Sequence, residues 1–234
     1  MRLFSVYLLM GAIFFSCEKE EIPINQHLAG EIITNQIQME SDYRNQIFYN
    51  LENNSNASEN IKTSWDLSFH FTEDNKYISL NSANYMKAVV RSAPFDSVFD
   101  VTNLDWQFDN PNGIQYGTVI PKIELSSDIY IIDRGYSVNG GSRGYRKFKI
   151  ESVSSDIVTI RYSNLDNSNE GISQIINNND YVLQSFSFDD SSSSIYPSDK
   201  SWDLLFSQYT HFFNDSLNPT YLVTGVLTNY LNGV

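Results

Sequence analysis

Large and polar residues alternate in short runs from residue 46 onward. The clearest run, 64–71 (SWDLSFHF), alternates Trp, Leu and Phe with polar residues. A period of two places the large side chains on one face of a β-strand and polar residues such as Ser68 and His70 on the other. Further strand candidates, separated by turn residues, are 46–51, 76–80, 85–90, 128–132, 147–150, 157–162 and 221–230. The pattern predicts an all-β fold with a mostly antiparallel sheet.

The stretches between these candidates predict loops and turns rather than helices. The glycine-bearing stretch 139–144 indicates a loop between two strands. A short turn is predicted over 95–101. Residues 171–181 (GISQIINNNDY) predict a loop, because three consecutive asparagines disfavour a helix.

One phrase occurs twice in the chain, as SWDLSF at 64–69 and as SWDLLF at 201–206. Each copy follows an aromatic run that begins with Gln and then a polar loop, and each continues into another strand candidate. We interpret this as a repeated antiparallel hairpin unit, which we call the WD hairpin.

Trp65, Asp66, Trp202 and Asp203 are the central residues of the two copies, and we interpret them as structural. A buried Trp contributes a large apolar area and an N–H that needs an acceptor. The Asp side chain can accept backbone N–H groups of the preceding loop. The alternative is a carboxylate pair for acid–base catalysis, but repetition within a structural unit favours the structural role.

Composition and charge narrow the classes of partner. The chain has 234 residues, a formal net charge of −13 and a pI of about 4.5. Without a basic patch it does not neutralise phosphates, so nucleic acid is not an expected partner. Apolar residues make up 41% of the chain, which is enough for a packed core.

The N-terminus has the pattern of a bacterial export signal. Arg2 precedes an apolar run over 3–15, which is shorter than the about 20 residues of a membrane-spanning helix. Cys17 is the only cysteine in the chain and follows a small residue. This arrangement resembles a lipobox, so 1–17 is predicted as a lipoprotein signal peptide and Cys17 as the lipidation site. The alternative is an ordinary buried or cleaved cysteine.

Residues 18–30 are predicted to form a tether between the lipid and the folded domain. The acidic EKEE that opens it resembles the export signal of lipoproteins displayed on the outer face of Gram-negative cells. We therefore expect a lipid-anchored outer-membrane protein that is exposed at the cell surface.

Several blocks in a fixed order resemble a known family. They are the lipobox cysteine, QIFYNL at 46–51, WDLSFH at 65–70, ISLNS at 78–82, and IIDRGYSVNGGSRGYRKFKIESVSSDIVTIRY at 131–162. Their order and spacing resemble the HmuY-type haem-binding lipoprotein family, over about residues 30–164. The resemblance implies an HmuY-like β domain at 31–165 that grips haem between projecting loops. Residues 166–234 then read as a C-terminal β extension that packs on the same domain.

The resemblance also implies where the axial ligands of the haem iron come from. In the family they lie between the WD strand and the Arg-Gly strand, here about 81–128, and are often His and sometimes Met. That region contains no His and only one Met, Met86. Since Tyr also ligates haem iron, the candidate haem ligands are Met86, Tyr85, Tyr116 and, from the second phrase, His211. A core position for Met86 and a surface position for His211 are the alternatives. His70 is interpreted as structural.

No catalytic residues and no metal site are predicted, because the chain lacks the motifs of nucleophilic, metal-dependent and nucleotide-dependent enzymes. The first remaining class of function is a non-catalytic protein that binds haem or another small ligand. The alternative is a surface lipoprotein that binds a glycan through exposed aromatic residues such as Tyr136, Tyr145 and Tyr196, or binds a partner protein such as a receptor. A structural accessory of an outer-membrane complex is a third class.

Overall fold

Antiparallel strands account for most of the regular structure. The computed structural model describes residues 30–72, 75–98, 100–178, 181–191, 195–213 and 220–229. The strands are β1 (Asn45–Asn50), β2 (Ser55–Ile61), β3 (Leu67–Phe71), β4 (Lys76–Leu80), β5 (Lys87–Ser92), β6 (Asp128–Asp133), β7 (Tyr145–Val153), β8 (Ile157–Ser163), β9 (Gly171–Ile176), β10 (Leu183–Phe186), β11 (Leu204–Phe212) and β12 (Thr220–Thr228). Single-turn 3₁₀ helices cover Ser82–Asn84, Phe95–Ser97 and Gln115–Gly117.

The strands form three antiparallel sheets. Their orders are β12-β11-β1-β2, β10-β3-β4 and β5-β6-β7-β8-β9. The prediction of an all-β, mostly antiparallel fold is confirmed. The main core cluster draws on β3, β4, β6, β7 and β8, so the second and third sheets supply most of the buried apolar side chains.

Strand β3 is buried on both faces, because all five of its residues are buried. It is the middle strand of its sheet, between β10 and β4. Leu67 and Phe69 enter the main core cluster, and Ser68 and His70 are buried as well. The large residues therefore share one face as predicted, and the face that carries Ser68 and His70 is buried too.

Two strands occur where the sequence predicts loops. β2 is almost entirely polar, and β9 replaces the loop predicted over 171–181. Both lie at the edge of a sheet. An edge strand needs only backbone pairing on one side, so its side chains carry little of the apolar signal on which the prediction depends.

The WD hairpins are β3–β4 and β11–β12, each preceded by its Trp-Asp pair. Each hairpin pairs with a strand that lies next to the other copy in the sequence: β3 pairs with β10, and β11 pairs with β1. The backbone N–H of Asp66 donates to Phe186 O at 2.8 Å, and that of Asp203 donates to Tyr49 O at the same distance. The two repeats have therefore exchanged their leading strands.

An asparagine closes each WD hairpin in the same way. The Asn81 side chain donates through Nδ2 to the carbonyl oxygens of Lys62 and Trp65, at 2.7 and 2.9 Å. The Asn229 side chain repeats this with the carbonyl oxygens of Asp199 and Trp202, at the same two distances. Each closing amide thus holds the start of its hairpin to the end, and the two copies share a geometry that their five matching letters do not reveal.

The two aspartates fasten the exchanged strands. Asp66 Oδ2 accepts the backbone N–H of Phe188 at 3.0 Å, and Asp203 Oδ2 accepts that of Leu51 at 2.7 Å. The sequence predicts that these side chains accept backbone N–H groups, but from the preceding loop. The structure places the donors in the other repeat instead.

Lys147, at the start of the aromatic part of β7, is fully buried and organises two loops. Its Nζ donates to the carbonyl oxygens of Phe95 and Val98, both at 2.9 Å, and to that of Leu165 at 3.1 Å. Burial lowers the pKa of Lys147. Backbone carbonyls near a buried ammonium replace the water that it loses, so Lys147 fixes both loops to β7.

We expect Asp66→Asn to lower the free energy of unfolding by about 3–5 kcal/mol, because two buried arginines, described below, lose their counter-charge. The measurement is urea denaturation followed by tryptophan fluorescence. Asp203→Asn is the matched control, since it makes the same change at the equivalent position of the second hairpin. It removes one charged acceptor, for which about 1–3 kcal/mol is expected. Equal losses in the two variants would contradict this ranking.

Candidate functional site

The Asp66 carboxylate lies at the centre of a charge cluster. Arg134 binds it with two parallel hydrogen bonds, Nε to Oδ1 at 3.0 Å and Nη2 to Oδ2 at 2.9 Å. Arg143 Nη1 lies 2.9 Å from Oδ1. Arg134 also reaches Asp189, which is half exposed. Asp66 is itself fully buried, so its contacts fit a structural role and not proton transfer with a substrate.

Gly135 connects this cluster to the region where haem ligands are expected. Its φ of +66° lies in the left-handed region, and a Cβ there would lie 1.8 Å from the carbonyl oxygen of Asn84. Only glycine fits at this position. The next residue, Tyr136, donates its N–H to the same carbonyl at 2.9 Å. The Arg-Gly pair therefore positions the residue after Asn84, which is Tyr85.

Tyr85 follows the Ser82–Asn84 helix in a left-handed conformation, with φ 62°, and does not belong to β5 as predicted. Its ring packs on Phe108, with 4.8 Å between the centroids. Its hydroxyl shares a 2.6 Å hydrogen bond with Thr220 Oγ1. Tyr85 therefore joins the region before β5 to the end of the β11–β12 hairpin.

The other three candidate ligands lie in different surroundings. Met86 is 1% exposed and belongs to the main core cluster. Tyr116 lies in the Gln115–Gly117 helix and is 85% exposed. His211 is half buried on β11, with its ring 4.8 Å from that of Phe213. The fold brings Tyr85 and His211 towards the same end of the β11–β12 hairpin and leaves Met86 inside.

An open groove of about 540 Å³ lies beside Tyr85 and Tyr116. We call it the middle groove, and its lining residues are Val89, Val90, Asp105, Gln107, Phe108, Gly117, Thr118 and Val119. Phe108 contacts Tyr85, and Gly117 directly follows Tyr116. Half of the lining residues are apolar, and each of the two tyrosines neighbours one residue of the lining.

A second, more enclosed cavity of about 310 Å³ lies between the two WD hairpins. We call it the inter-hairpin cavity. It is lined by both motif tryptophans, both closing asparagines and Tyr196, with His70 and Asp109 as titratable groups. The sequence pattern does not single out Asp109, because Asp-Asn-Pro-Asn-Gly indicates only a turn.

Burial shifts the pKa of both titratable groups in this cavity. It lowers the pKa of His70 to about 3 and raises the pKa of Asp109 to about 6, where hydrogen bonds from the backbone amides of Val119 and Leu80 limit the rise. His70 stacks on Tyr77, and its Nε2 shares a 2.7 Å hydrogen bond with Ser79 Oγ. The imidazole is therefore neutral in the folded protein at physiological pH.

A family model described as HmuY protein matches residues 42–226. The chain belongs to the HmuY family. The match continues past residue 164, where the resemblance of separate motifs ends, so it covers the first WD hairpin and all but the last two residues of the second. No curated protein and no solved structure matches the chain. The HmuY family is associated with haem binding at bacterial surfaces and is not a family of enzymes.

Three further expectations concern the lipid anchor, membrane-spanning helices and metal sites. Cys17 lies outside the described residues, as do the predicted signal peptide and most of the tether. No helix among the described residues is long and apolar enough to cross a membrane. In the same part of the chain, no cluster of His, Cys, Asp and Glu has the arrangement of a metal site.

The three tyrosines expected to contact a glycan differ in exposure and in ring packing. Tyr136 is exposed, and Tyr145 stacks on Trp106 with 5.8 Å between the ring centroids. The expectation that Tyr196 is exposed is wrong, because its ring packs edge-on against Phe48 and Trp65.

We expect His70→Gln to flatten the dependence of stability on pH. Between the ordinary pKa of 6.5 and the folded value of about 3, the unfolded state binds more protons than the folded state. Stability therefore falls as pH drops through this window, by about 2 kcal/mol at about pH 5 at roughly 1.36 kcal/mol per pKa unit.

The measurement is urea denaturation of the wild type and the variant at about pH 7.5 and about pH 5. Asp109, whose pKa is raised, gives a slope of opposite sign below pH 6, but this slope is common to both proteins and cancels in their difference. His211→Gln is the matched control. An equal difference between wild type and His70→Gln at both pH values would show that burial does not suppress protonation of His70.

Proposed function

We propose that this protein is a non-catalytic, lipid-anchored surface protein that binds haem or a related porphyrin in the middle groove. The observation that carries the proposal is HmuY family membership over residues 42–226, together with a groove of mixed polar and apolar lining in the region where the resemblance places the axial ligands. Its biological role would be the acquisition of iron or haem.

The shape and lining of the middle groove support this assignment. Its volume of about 540 Å³ lies within the range typical of small-molecule and cofactor sites. Val89, Val90, Phe108 and Val119 supply apolar walls that suit the faces of a porphyrin. The open side leaves room for a macrocycle to extend into solvent.

Tyr116 is the first candidate for the axial ligand. Its phenol is exposed and sits one residue before the groove-lining Gly117, and a phenolate oxygen is an established ligand of haem iron. Tyr85 must give up its hydrogen bond to Thr220 before it coordinates, and Met86 must leave the core. Tyr85 and His211 are therefore the candidates for a second ligand, and Met86 ranks last.

Anchoring through Cys17 would place the domain outside the cell. A lipidated cysteine followed by a short tether holds a water-soluble domain at a membrane surface. The net charge of −13 disfavours direct adsorption of the domain to anionic lipids, so the lipid would be the attachment.

A glycan-binding function is the second candidate, and one observation favours it. The stacked Trp106–Tyr145 pair, with 26° between the ring planes, borders a shallow depression lined by Arg146, Asn164 and Asp166. Flat aromatic surfaces beside carboxylate and amide groups suit the apolar faces and hydroxyls of a sugar.

We expect the chain without residues 1–17 to bind haemin with a saturable shift of the Soret band at one equivalent. Tyr116→Phe should weaken binding by at least about tenfold, or about 1.4 kcal/mol, because the iron loses its oxygen ligand. Tyr85→Phe and His211→Ala should have smaller effects. The measurement is absorbance during haemin titration.

Tyr43→Phe, at an exposed tyrosine outside the groove, is the control and should bind like the wild type. A response that only rises in proportion to added haemin, as haemin alone does, would reject the haem assignment and favour the glycan candidate.

We expect Cys17→Ala to move the protein from the membrane fraction to the soluble fraction, because no acyl chain can be attached. The measurement is fractionation of cells that express the full chain, with Ser16→Ala as the neighbouring control, which keeps a small residue before the cysteine. Retention of Cys17→Ala in the membrane fraction would overturn the lipobox interpretation.

A further inference from the structure

The inter-hairpin cavity has a different chemistry from the middle groove, although Thr118 lines both. Trp65 and Trp202 enter it from the two repeats, and Tyr196 adds a third aromatic ring. Its volume of about 310 Å³ is at the small end of the range for ligand sites. It therefore suits a compact ligand rather than a macrocycle.

The cavity carries a single charge. Among the described residues that line it, Asp109 is the one acidic side chain, and none is Lys or Arg. Asp109 takes part in none of the ion pairs between described residues. Its oxygens accept the backbone N–H groups of Leu80 and Val119 at 2.7 and 2.8 Å. A buried carboxylate without a positive partner favours a cationic ligand and disfavours an anionic one.

A second hydrogen-bond acceptor, the His70 imidazole, also lines the cavity. His70 is 5% exposed, and its Nδ1 has no hydrogen-bond partner among the described residues. When Nε2 donates to Ser79 Oγ, Nδ1 carries a lone pair. Ser79 and Leu80 are adjacent on β4, so the partners of His70 and of Asp109 are consecutive residues. Both side chains line the cavity, so a ligand with several N–H donors has two acceptors there.

The aromatic rings that line the cavity also favour a cationic ligand. Trp65 Nε1 already donates to Gln46 Oε1 at 2.8 Å, so the indole is held in place and offers the cavity its ring rather than a donor. Aromatic faces attract ammonium groups more strongly when water is excluded. A carboxylate, a neutral imidazole and several rings all favour a protonated amine with an apolar body.

We propose that the inter-hairpin cavity binds a small organic ammonium ion, whose N–H groups donate to Asp109 and His70 and whose apolar body packs against Trp65 and Trp202. The proposal does not rest on haem binding in the middle groove. The two repeats build it together, so neither WD hairpin alone would form it.

The test is titration of the chain without residues 1–17 with phenethylammonium, followed by tryptophan fluorescence and by calorimetry. Phenethyl alcohol and phenylacetate, which keep the apolar body and change only the charge, are the ligand controls. Saturable binding of the amine is expected, with at least about tenfold weaker binding of the alcohol and of the acid. Equal binding of amine and alcohol, or no binding of the amine, would overturn the proposal.

Variants then locate the site. Asp109→Asn should weaken amine binding by at least about tenfold, whereas Asp105→Asn, in the middle groove, should leave it unchanged. Since Asp109 also accepts two backbone amides, Leu227→Phe offers a second variant that leaves Asp109 intact and fills the cavity. It should also abolish binding of the amine. Unchanged affinity in Leu227→Phe would place the amine elsewhere and overturn the assignment, even if Asp109→Asn does not fold.

Discussion

A carboxylate without access to water must be neutralised by its surroundings, and the burial of Asp66 imposes this condition on the fold. Arg134 meets it with a two-point contact from the end of β6, and the Phe188 amide meets it from the other repeat. Once Arg134 is fixed, Gly135 must follow against the Asn84 carbonyl, where no larger residue fits. The position of Tyr85, and with it one side of the middle groove, depends on this chain of contacts.

The two WD hairpins use the same backbone geometry for different purposes. In the first, the aspartate is fully buried and binds Arg134, Arg143 and the backbone amide of Phe188. In the second, Asp203 holds the end of β1 through the Leu51 amide. The tryptophans of both hairpins line the inter-hairpin cavity, which is the space between the hairpins that these side chains leave unfilled. A repeat that has exchanged strands thus encloses a site at its own junction.

The sequence predicts strands well where apolar residues fill both faces or one face. β4 and β6 agree closely with prediction, because a buried strand has a strong hydrophobic signal. β2 and β9 escape prediction because edge strands need little apolar surface. Tyr85 was predicted within a strand, since a left-handed residue leaves no trace in hydrophobic periodicity, and its conformation depends on Gly135, which is distant in sequence.

The candidate sites are less predictable still. Tyr116 and His211 could be proposed from residue type and from family resemblance, but the core position of Met86 needs the packed structure. The partner of each exchanged strand could not be read from the repeat, because both pairings satisfy the same pattern. The raised pKa of Asp109 results from its burial between segments that are distant in the sequence, so local sequence does not predict it.

The exchange of strands between the repeats sets an order of assembly. Gln46 and Ser207 meet across the β1–β11 pair although they are 161 residues apart in the chain. Contacts of such long range form late and slowly, because the closure of a long loop must precede them. While a ribosome extends the chain from its N-terminus, β1 has no β11 to pair with and β3 has no β10. The five-stranded sheet β5-β6-β7-β8-β9 lies within a continuous part of the chain, whereas the two sheets that contain β1 and β3 are completed only after β11 and β10 have been synthesised.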